Sequence, residues 1–139
     1  MGRTLRDVMS PRPVTMHTGT TVLEAARKMR DDDIGDVLVM RDGGVAGIVT
    51  DRDIVVRVLA EGLEPHSISV SQVMSEDPVC LSPDDSVDRA TELMRSKAIR
   101  RIPVVEGGEP VGIVSIGDLA IDADGERALA DISKAPANN

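Results

Sequence analysis

Apolar positions in the first third of the chain have the spacing of an amphipathic helix that begins near residue 21. Thr21 and Glu24 are spaced as a capping box, in which each side chain bonds the backbone N–H of the other residue. A short extended piece over residues 13–16 precedes this helix. The apolar positions of the helix are Val22, Ala25, Ala26 and Met29.

Two runs of β-branched and aliphatic residues follow, over residues 37–40 and 46–50. The glycines between these runs predict a hairpin turn. A second helix is predicted over residues 52–61, and Gly62 is placed to end it. The apolar positions of this helix are Ile54, Val55, Val58 and Leu59.

The same series of elements recurs after a shift of 65 residues. Val8-Met9-Ser10 returns as Val73-Met74-Ser75, and a gapless comparison of residues 4–54 with 69–119 gives 16 identities in 51 positions. A match of this length indicates an internal duplication. The second copy predicts an extended piece over 78–81, a helix capped by Ser86 with apolar positions Val87, Ala90, Leu93 and Met94, strands over 102–105 and 111–115, and a helix that starts near Asp118.

The repeat predicts how the chain is organised. We expect a first repeat over residues 4–62, a connector over 63–68, a second repeat over 69–124 and a helical tail over 125–139. The tail is predicted to contain a helix over 126–134 and a frayed end over 135–139. The fold class is α/β in the broad sense and α+β more narrowly: a β-α-β-β-α unit occurs twice, and its two sheets pack into one module with pseudo-two-fold symmetry.

Composition and charge exclude several classes of protein. Val, Ile and Leu make up 37 of the 139 residues, which is enough to build a core. The chain has no Phe, Tyr or Trp and a formal charge of −8, which argues against a nucleic-acid partner, because such partners require stacking platforms and clustered basic residues. No apolar stretch approaches the roughly 20 residues that span a bilayer, and the N-terminal residues lack the pattern of a secretory signal. We therefore expect no membrane partner and a cytoplasmic location.

Each repeat closes its hairpin with the same signature. The two signatures are Gly47-Ile48-Val49-Thr50-Asp51-Arg52-Asp53 and Gly112-Ile113-Val114-Ser115-Ile116-Gly117-Asp118. A β-α-β-β-α unit that occurs as a tandem pair and ends in Gly-Ile-Val-Thr/Ser-x-x-Asp resembles the cystathionine β-synthase (CBS) domain. The pair resembles a stand-alone Bateman module that covers residues 4–122.

This resemblance implies a regulatory sensor and not an enzyme. CBS pairs typically bind an adenosine-containing ligand, such as AMP, ADP, ATP, S-adenosylmethionine or NAD, in clefts between the repeats, and signal its presence to a partner protein. The sequence contains no nucleophile–base pair, metal-ligand cluster or Walker loop, so we expect no catalytic residue, no metal and no cofactor beyond this nucleotide ligand. The resemblance also implies a homodimer, which we expect because a helical face with Val55, Val58 and Leu59 would otherwise meet water.

The resemblance assigns ligand contacts to both repeats. The hydroxyls of Thr50 and Ser115 suit phosphate oxygens, and the carboxylates of Asp53 and Asp118 suit the hydroxyls of a ribose. The helix N-terminus that follows each strand favours a phosphate. The other assigned residues are Arg52 in the first repeat and Arg100, Arg101, Ile102 and Pro103 in the second.

The two repeats differ in charge beside this motif. Arg100 and Arg101 begin the strand of the second repeat, where either suits a bidentate contact with phosphate. The first repeat has Gly35 and Asp36 at these positions, and the acid would repel a phosphate. If the two sites are unequally occupied, we therefore predict that the second dominates. The resemblance leaves open that Arg100 or Arg101 serves the phosphate of the first site instead. The departure in the first repeat favours the alternative function, a ligand-free dimeric scaffold for protein interactions.

Plainer interpretations stay open for these motifs. Both Thr/Ser-x-x-Asp patterns also fit ordinary helix N-caps, and the two arginines also suit pairing with surface acids. Cys80 lies in an apolar run and is predicted to be a packed thiol and not a nucleophile. The acidic run over residues 31–33 and the two histidines are predicted to be solvated and not metal ligands.

Overall fold

The computed structural model describes residues 3–123, with side chains described as far as residue 121. Helices and short strands alternate in this range and the strands form two sheets, so the predicted α+β class is confirmed. The helix predicted over 126–134 and the frayed end over 135–139 lie outside the described residues. Over residues 3–123 no helix is long and apolar enough to cross a membrane.

The elements follow the order that the repeat predicts. The first series is α1 (Leu5–Val8), β1 (Ser10–Pro11), β2 (Thr15–His17), α2 (Val22–Asp32), β3 (Asp36–Arg41), β4 (Gly44–Thr50) and α3 (Asp51–Ile54), which continues as a π-helix (Val55–Leu59). The second series is two short 3-10 helices (Pro65–Ser67 and Val70–Gln72), β5 (Ser75–Glu76), α4 (Val87–Lys97), β6 (Arg101–Glu106), β7 (Glu109–Ser115) and α5 (Ile116–Ala123).

The described residues divide into two compact units. The first unit comprises residues 3–11, 80–106 and 111–123 and carries the three-stranded sheet with the order β1-β7-β6. The second unit comprises residues 12–79 and 107–110 and carries the four-stranded sheet with the order β2-β3-β4-β5. In this second sheet β2 runs parallel to β3, and the other neighbouring strands are antiparallel.

The two long helices begin where the sequence predicts. The N–H of Glu24 donates to Thr21 Oγ1 at 3.1 Å, and the N–H of Thr21 donates to Glu24 Oε1 at 3.2 Å, which completes the capping box. These bonds from Thr21 hold the pKa of the Glu24 carboxyl below its usual range, because they favour its charged form. Ser86 caps α4 by accepting the N–H of Arg89 at 3.0 Å.

Each unit has its own cluster of buried aliphatic side chains. The apolar faces of α2 and α4 contribute to these clusters as the periodicity predicts, with Ala25 and Ala90 fully buried. Met29 and Met94 pack beside them and fill space in a core without aromatic rings. The second unit buries Val22, Ala25, Met29, Val37, Val39, Val49, Ile54, Val58, Val70, Val73 and Met74, and the first unit buries Leu5, Leu81, Val87, Ala90, Met94, Ile102, Val104, Val114 and Leu119.

Each repeat begins with a segment that packs in the unit built mainly from the other repeat. We name these segments leading segment 1 (residues 3–11) and leading segment 2 (residues 68–76). Leu5 of leading segment 1 is fully buried in the first unit, where β1 pairs with β7. Val70 of leading segment 2 is fully buried in the second unit, where β5 pairs with β4. Both units therefore combine residues from both repeats.

A methionine from each leading segment packs directly over a glycine of the strand that the segment joins. A Cβ atom on Gly47 would overlap the side chain of Met74 and lie 2.9 Å from the carbonyl oxygen of Ser75. A Cβ atom on Gly112 would overlap Met9 in the same way. Glycine is required at both positions because no other residue lets the neighbouring chain approach so closely.

The second predicted helix differs from its prediction in geometry and in exposure. It is α-helical only to Ile54, after which π-type bonds appear, such as the one from the N–H of Ala60 to the oxygen of Val55 at 2.9 Å. Val58 is fully buried, so its expected place on the water-facing side is wrong. Val55 and Leu59 are each 55% exposed, whereas Val58 lies four residues after the buried Ile54 and shares its core-facing side.

Residues 78–81 form no continuous strand, but Leu81 is bonded to β6 on both sides of its peptide unit. Its N–H donates to the oxygen of Pro103 at 3.1 Å, and its oxygen accepts the N–H of Val105 at 2.8 Å. Leu81 is buried, and Cys80 beside it is exposed. The prediction of a packed thiol is therefore wrong, because successive side chains of an extended chain point in opposite directions. Partial desolvation still raises the pKa of the Cys80 thiol, which disfavours the nucleophilic thiolate.

Replacing Gly47 by alanine should destabilise the protein by about 1–3 kcal/mol, the usual cost of adding a methyl group to a packed core. Gly44→Ala is the matched control on the same strand, because a Cβ atom there meets only the oxygen of Arg41 at 3.9 Å. Urea unfolding monitored by circular dichroism gives both free energies of unfolding. Equal midpoints for the two variants would contradict the close packing of Met74 on Gly47.

Candidate functional site

The strand-to-helix junction of the first repeat is held by a reciprocal pair of hydrogen bonds. We name residues 50–53 the first junction. The N–H of Thr50 donates to Asp53 Oδ2 at 2.9 Å, and the N–H of Asp53 donates to Thr50 Oγ1 at 3.2 Å. Thr50 has extended backbone angles and serves as the N-cap of α3. The junction is therefore the capped start of a helix.

The second repeat builds the same arrangement at residues 115–118, the second junction. The N–H of Ser115 donates to Asp118 Oδ2 at 2.9 Å, and the N–H of Asp118 donates to Ser115 Oγ at 3.1 Å. The distances agree with those of the first junction to within 0.1 Å. The sequence duplication is thus also a duplication of local geometry.

The helix-cap interpretation of both motifs is confirmed by these bonds, and it leaves half of each carboxylate for other contacts. Asp53 and Asp118 both use Oδ2 in the cap. Oδ1 of Asp53 lies 3.7 Å from Nε of Arg57. Oδ1 of Asp118 has no hydrogen bond or ion pair with residues of the described range. The capping hydroxyls accept an N–H and still carry a hydrogen that they can donate.

The strand that begins each hairpin passes next to the junction in both repeats. The N–H of Asp51 donates to the oxygen of Gly35 at 3.0 Å, and the N–H of Ile116 donates to the oxygen of Arg100 at 2.9 Å. Gly35 and Arg100 are related by the 65-residue shift, so they occupy equivalent places. Arg100 is exposed beside its junction, whereas the first junction has no side chain at the same point.

The residues that follow these two positions also differ between the repeats. Asp36 is paired with Thr50 in the β3–β4 ladder and is half-buried. Arg101 is half-buried at the start of β6. Ile102 is fully buried in the core of the first unit, and Pro103 is buried with its oxygen bonded to Leu81. Of the four predicted residues 100–103, the two arginines are therefore the ones with solvent access.

The helix of the first junction supplies two arginines. Arg52 lies exposed in the first turn of α3, where its N–H bonds Asp51 Oδ1 at 2.8 Å. Arg57 contacts Asp53 and also donates from Nη1 to the oxygen of Val73 at 3.0 Å. Arg57 was not among the residues predicted for the site, although its i, i+4 spacing from Asp53 is a readable signal for an ion pair. Its second contact, with Val73, joins residues 16 positions apart, so no short sequence spacing predicts it.

Other candidate chemistry stays on the surface. Asp31 pairs with Arg30 at 2.8 Å, and Asp32 pairs with Lys28 at 3.1 Å, so the acidic run is solvated and paired with bases. Within residues 3–123, no group of three His, Cys, Asp or Glu side chains is arranged to hold a metal ion. The two junctions, with their matching hydrogen bonds, are therefore the candidate sites that we consider further.

Known proteins share both the sequence and this architecture. The family model of the CBS domain matches residues 5–60 and 70–121. The CBS domain-containing protein YhcV of Bacillus subtilis is 37% identical over 118 residues, which cover 85% of this chain and 84% of that protein.

Two solved structures are similar over most of their length. The hexameric CBS-CP12 protein from bloom-forming cyanobacteria has a TM-score of 0.82 and 28% identity, covering 91% of this chain and 75% of that one. The CBS domain pair of protein MJ0100, solved in complex with 5′-methylthioadenosine and S-adenosyl-L-methionine, has a TM-score of 0.79 and 25% identity, covering 91% and 99%. With two family matches over most of the sequence, the chain belongs to the CBS domain family and carries two CBS domains in tandem.

Proposed function

We propose that this protein is a regulatory CBS pair that binds an adenosine-containing ligand at its strand-to-helix junctions and signals occupancy to a partner protein. The ligand class comprises AMP, ADP, ATP, S-adenosylmethionine and NAD. The protein's role would be regulatory and not catalytic, and we expect it to act in the cytoplasm.

The observation that carries this proposal is the divided use of the Asp118 carboxylate. Oδ2 completes the helix cap, and Oδ1 has no partner in the described part of the chain. An ionised carboxylate oxygen is a strong acceptor for hydroxyl groups, and a ribose offers two of them. One aspartate thus serves both the fold and the ligand.

A phosphate group of the ligand finds donors next to the same carboxylate. The hydroxyl of Ser115 and the start of α5 lie at the second junction, and Arg100 lies beside it through its backbone bond to Ile116. A helix N-terminus and an arginine both favour an anion. Buried aliphatic residues of the signature, such as Ile113 and Val114, hold this junction in place.

The relative of known ligand supports the class of compound. The CBS pair of MJ0100 was solved with two adenosyl compounds, one neutral at the ribose 5′ position and one with a cationic sulfonium. Those ligands share the adenosine part and lack phosphate. We therefore propose that adenosine is the constant element of recognition and that the basic residues select among its derivatives.

The alternative function is a ligand-free dimeric scaffold. It is favoured by the exposed apolar side chains Val55, Val56 and Leu59 and by the acid at position 36. We include a homodimer in the main proposal too, because an exposed apolar face of this kind is commonly covered by a second copy. Ligand binding is therefore the property that separates the two functions.

A panel of AMP, ADP, ATP, S-adenosylmethionine and NAD should contain at least one compound that raises the melting temperature. A ligand at about 100 times its Kd adds about 2.7 kcal/mol to the free energy of unfolding, which is several degrees for a chain of this size. Differential scanning fluorimetry measures the shift, with free ribose as the negative control. No shift with any of the five compounds would favour the scaffold.

Asp118→Asn should weaken binding of the active compound about tenfold to a hundredfold, as expected for the loss of a hydrogen bond to a charged acceptor. Asparagine can still accept the N–H of Ser115 through its oxygen, so the cap is kept while its amide group faces the ligand. Asp7→Asn is the matched control, because Asp7 forms the same kind of capping box with Thr4 at the start of α1. Isothermal titration calorimetry gives both affinities, and an equal loss in the two variants would contradict a ligand role for Asp118.

The equivalent change in the first repeat, Asp53→Asn, should weaken the tighter binding event less than Asp118→Asn does. The reason is charge: Arg100 and Arg101 accompany the second junction, whereas Gly35 and Asp36 accompany the first. Calorimetric titrations fitted for one or two sites distinguish the junctions. A larger loss in the Asp53 variant would reverse the assignment of the dominant site.

A further inference from the structure

Arg57 bridges two parts of the second unit that are distant in sequence. Its Nε lies 3.7 Å from Asp53 Oδ1, and its Nη1 donates to the backbone oxygen of Val73 at 3.0 Å. The Asp53 side chain is only 15% exposed, while that of Arg57 is 50% exposed. One guanidinium therefore contacts both the carboxylate of the first junction and leading segment 2.

The Val73 end of this bridge leads directly to the attachment of leading segment 2. Met74 follows Val73 and packs over Gly47, and β5 then pairs with β4. The N–H of Asp77 bonds the oxygen of Ala46 at 3.0 Å, which extends the same attachment. Because β4 ends at the first junction, these contacts form a closed series, which we call the ring. It runs from the first junction along β4, from β4 to leading segment 2 through β5, and from Val73 back to Asp53 through Arg57.

The local backbone and the sequence both single out this arginine. Arg57 lies in the middle of the π-helical segment (Val55–Leu59), and π segments often occur at functional positions. The 65-residue shift places Asp122 at the matching position of the second repeat, so the sequence has the opposite charge there. The ring is therefore a property of the first repeat and not of the duplicated motif.

We propose that Arg57 is a positioning residue that couples the carboxylate of Asp53 to leading segment 2. It orients Asp53 through Oδ1 and holds the backbone of Val73 at the same time. A ligand hydroxyl bound to Oδ1 restricts the same carboxylate further, so ligand and leading segment support each other through Arg57. By thermodynamic linkage, a ligand that tightens the segment is itself bound more tightly when the segment is in place. The ligand part of this coupling rests on the proposed function, whereas the ligand-free part does not.

Amide hydrogen exchange of Met74 and Asp77, followed by NMR, tests the coupling without any ligand. The N–H of Asp77, directly after leading segment 2, bonds Ala46 of β4 and reports how firmly the segment is attached, whereas the N–H of Met74 bonds Val70 and reports the order of the segment itself. Arg57→Gln should raise both exchange rates about threefold to tenfold, the range for a partly exposed charged hydrogen bond. The amide of Leu38, bonded to Val14 at 2.9 Å, reports general opening of the same unit and should not change.

The coupling to Asp53 is decided by further variants. Asp53→Asn should also raise the two rates, and the double variant should match Arg57→Gln, because both changes break one connection. Arg57→Lys, which retains the charge, should recover part of the protection. Arg30→Gln is the control, since it removes an arginine paired with Asp31 in the same unit and should leave both amides unchanged. Unchanged rates in Asp53→Asn, or in Arg57→Gln, would overturn the proposal.

Ligand addition separates failure of this proposal from failure of the proposed function. The compound with the largest thermal shift should slow exchange of Met74 and Asp77 in the wild type and lose this effect in Arg57→Gln. If that compound binds by calorimetry but leaves both amides unchanged, ligand coupling through Arg57 is wrong while nucleotide binding stands. If no compound of the panel binds, the proposed function fails, and the ligand-free exchange rates still decide whether Arg57 couples Asp53 to the segment.

Discussion

The structure depends on the exchange of the two leading segments between the repeats. Each segment supplies a fully buried aliphatic side chain, Leu5 or Val70, to a core made mostly by the other repeat. Each also supplies a short strand to that repeat's hairpin. The strand can approach only because a glycine, Gly112 or Gly47, leaves room for a methionine. The strands β4 and β7, which end at the two junctions, are thus each paired along one edge with a leading segment that comes from the other repeat.

Most elements of the fold could be predicted because their signals are local. The capping box at Thr21 and the period of the apolar residues after it define α2, and the duplicated pattern defines α4. The exchange could not be predicted in this way, because apolar residues such as Leu5 indicate burial but not the surface that covers them. The π geometry after Ile54 also has no sequence signal. Val58 was expected to face water together with Val55 and Leu59, but it is buried on the same side as Ile54. The exposure of Cys80 depended on which side of an extended chain faced the core.

The candidate site was predictable as a pattern and ambiguous as chemistry, for one physical reason. A carboxylate three residues after a threonine or serine completes a helix cap with one oxygen, and its other oxygen can make a separate contact, as Asp53 does with Arg57. Sequence spacing is the same for both roles, so the pattern alone could not choose between them. The geometry shows the cap role at both junctions, and the ligand role stays a proposal. Arg57 lay outside the predicted set because its contact with the oxygen of Val73 exists only after leading segment 2 has docked.

The exchanged topology also changes what a cut in the backbone would do. A break in the connector near residue 64 leaves one fragment with residues 3–11 of the first unit and most of the second, and leaves the other fragment with residues 68–76 of the second unit and most of the first. Neither fragment contains a whole unit, so neither has a complete core of its own. The two fragments are complementary halves that regain both cores only by reassociating, as in fragment complementation, and a nicked molecule would stay together without a covalent link between its repeats.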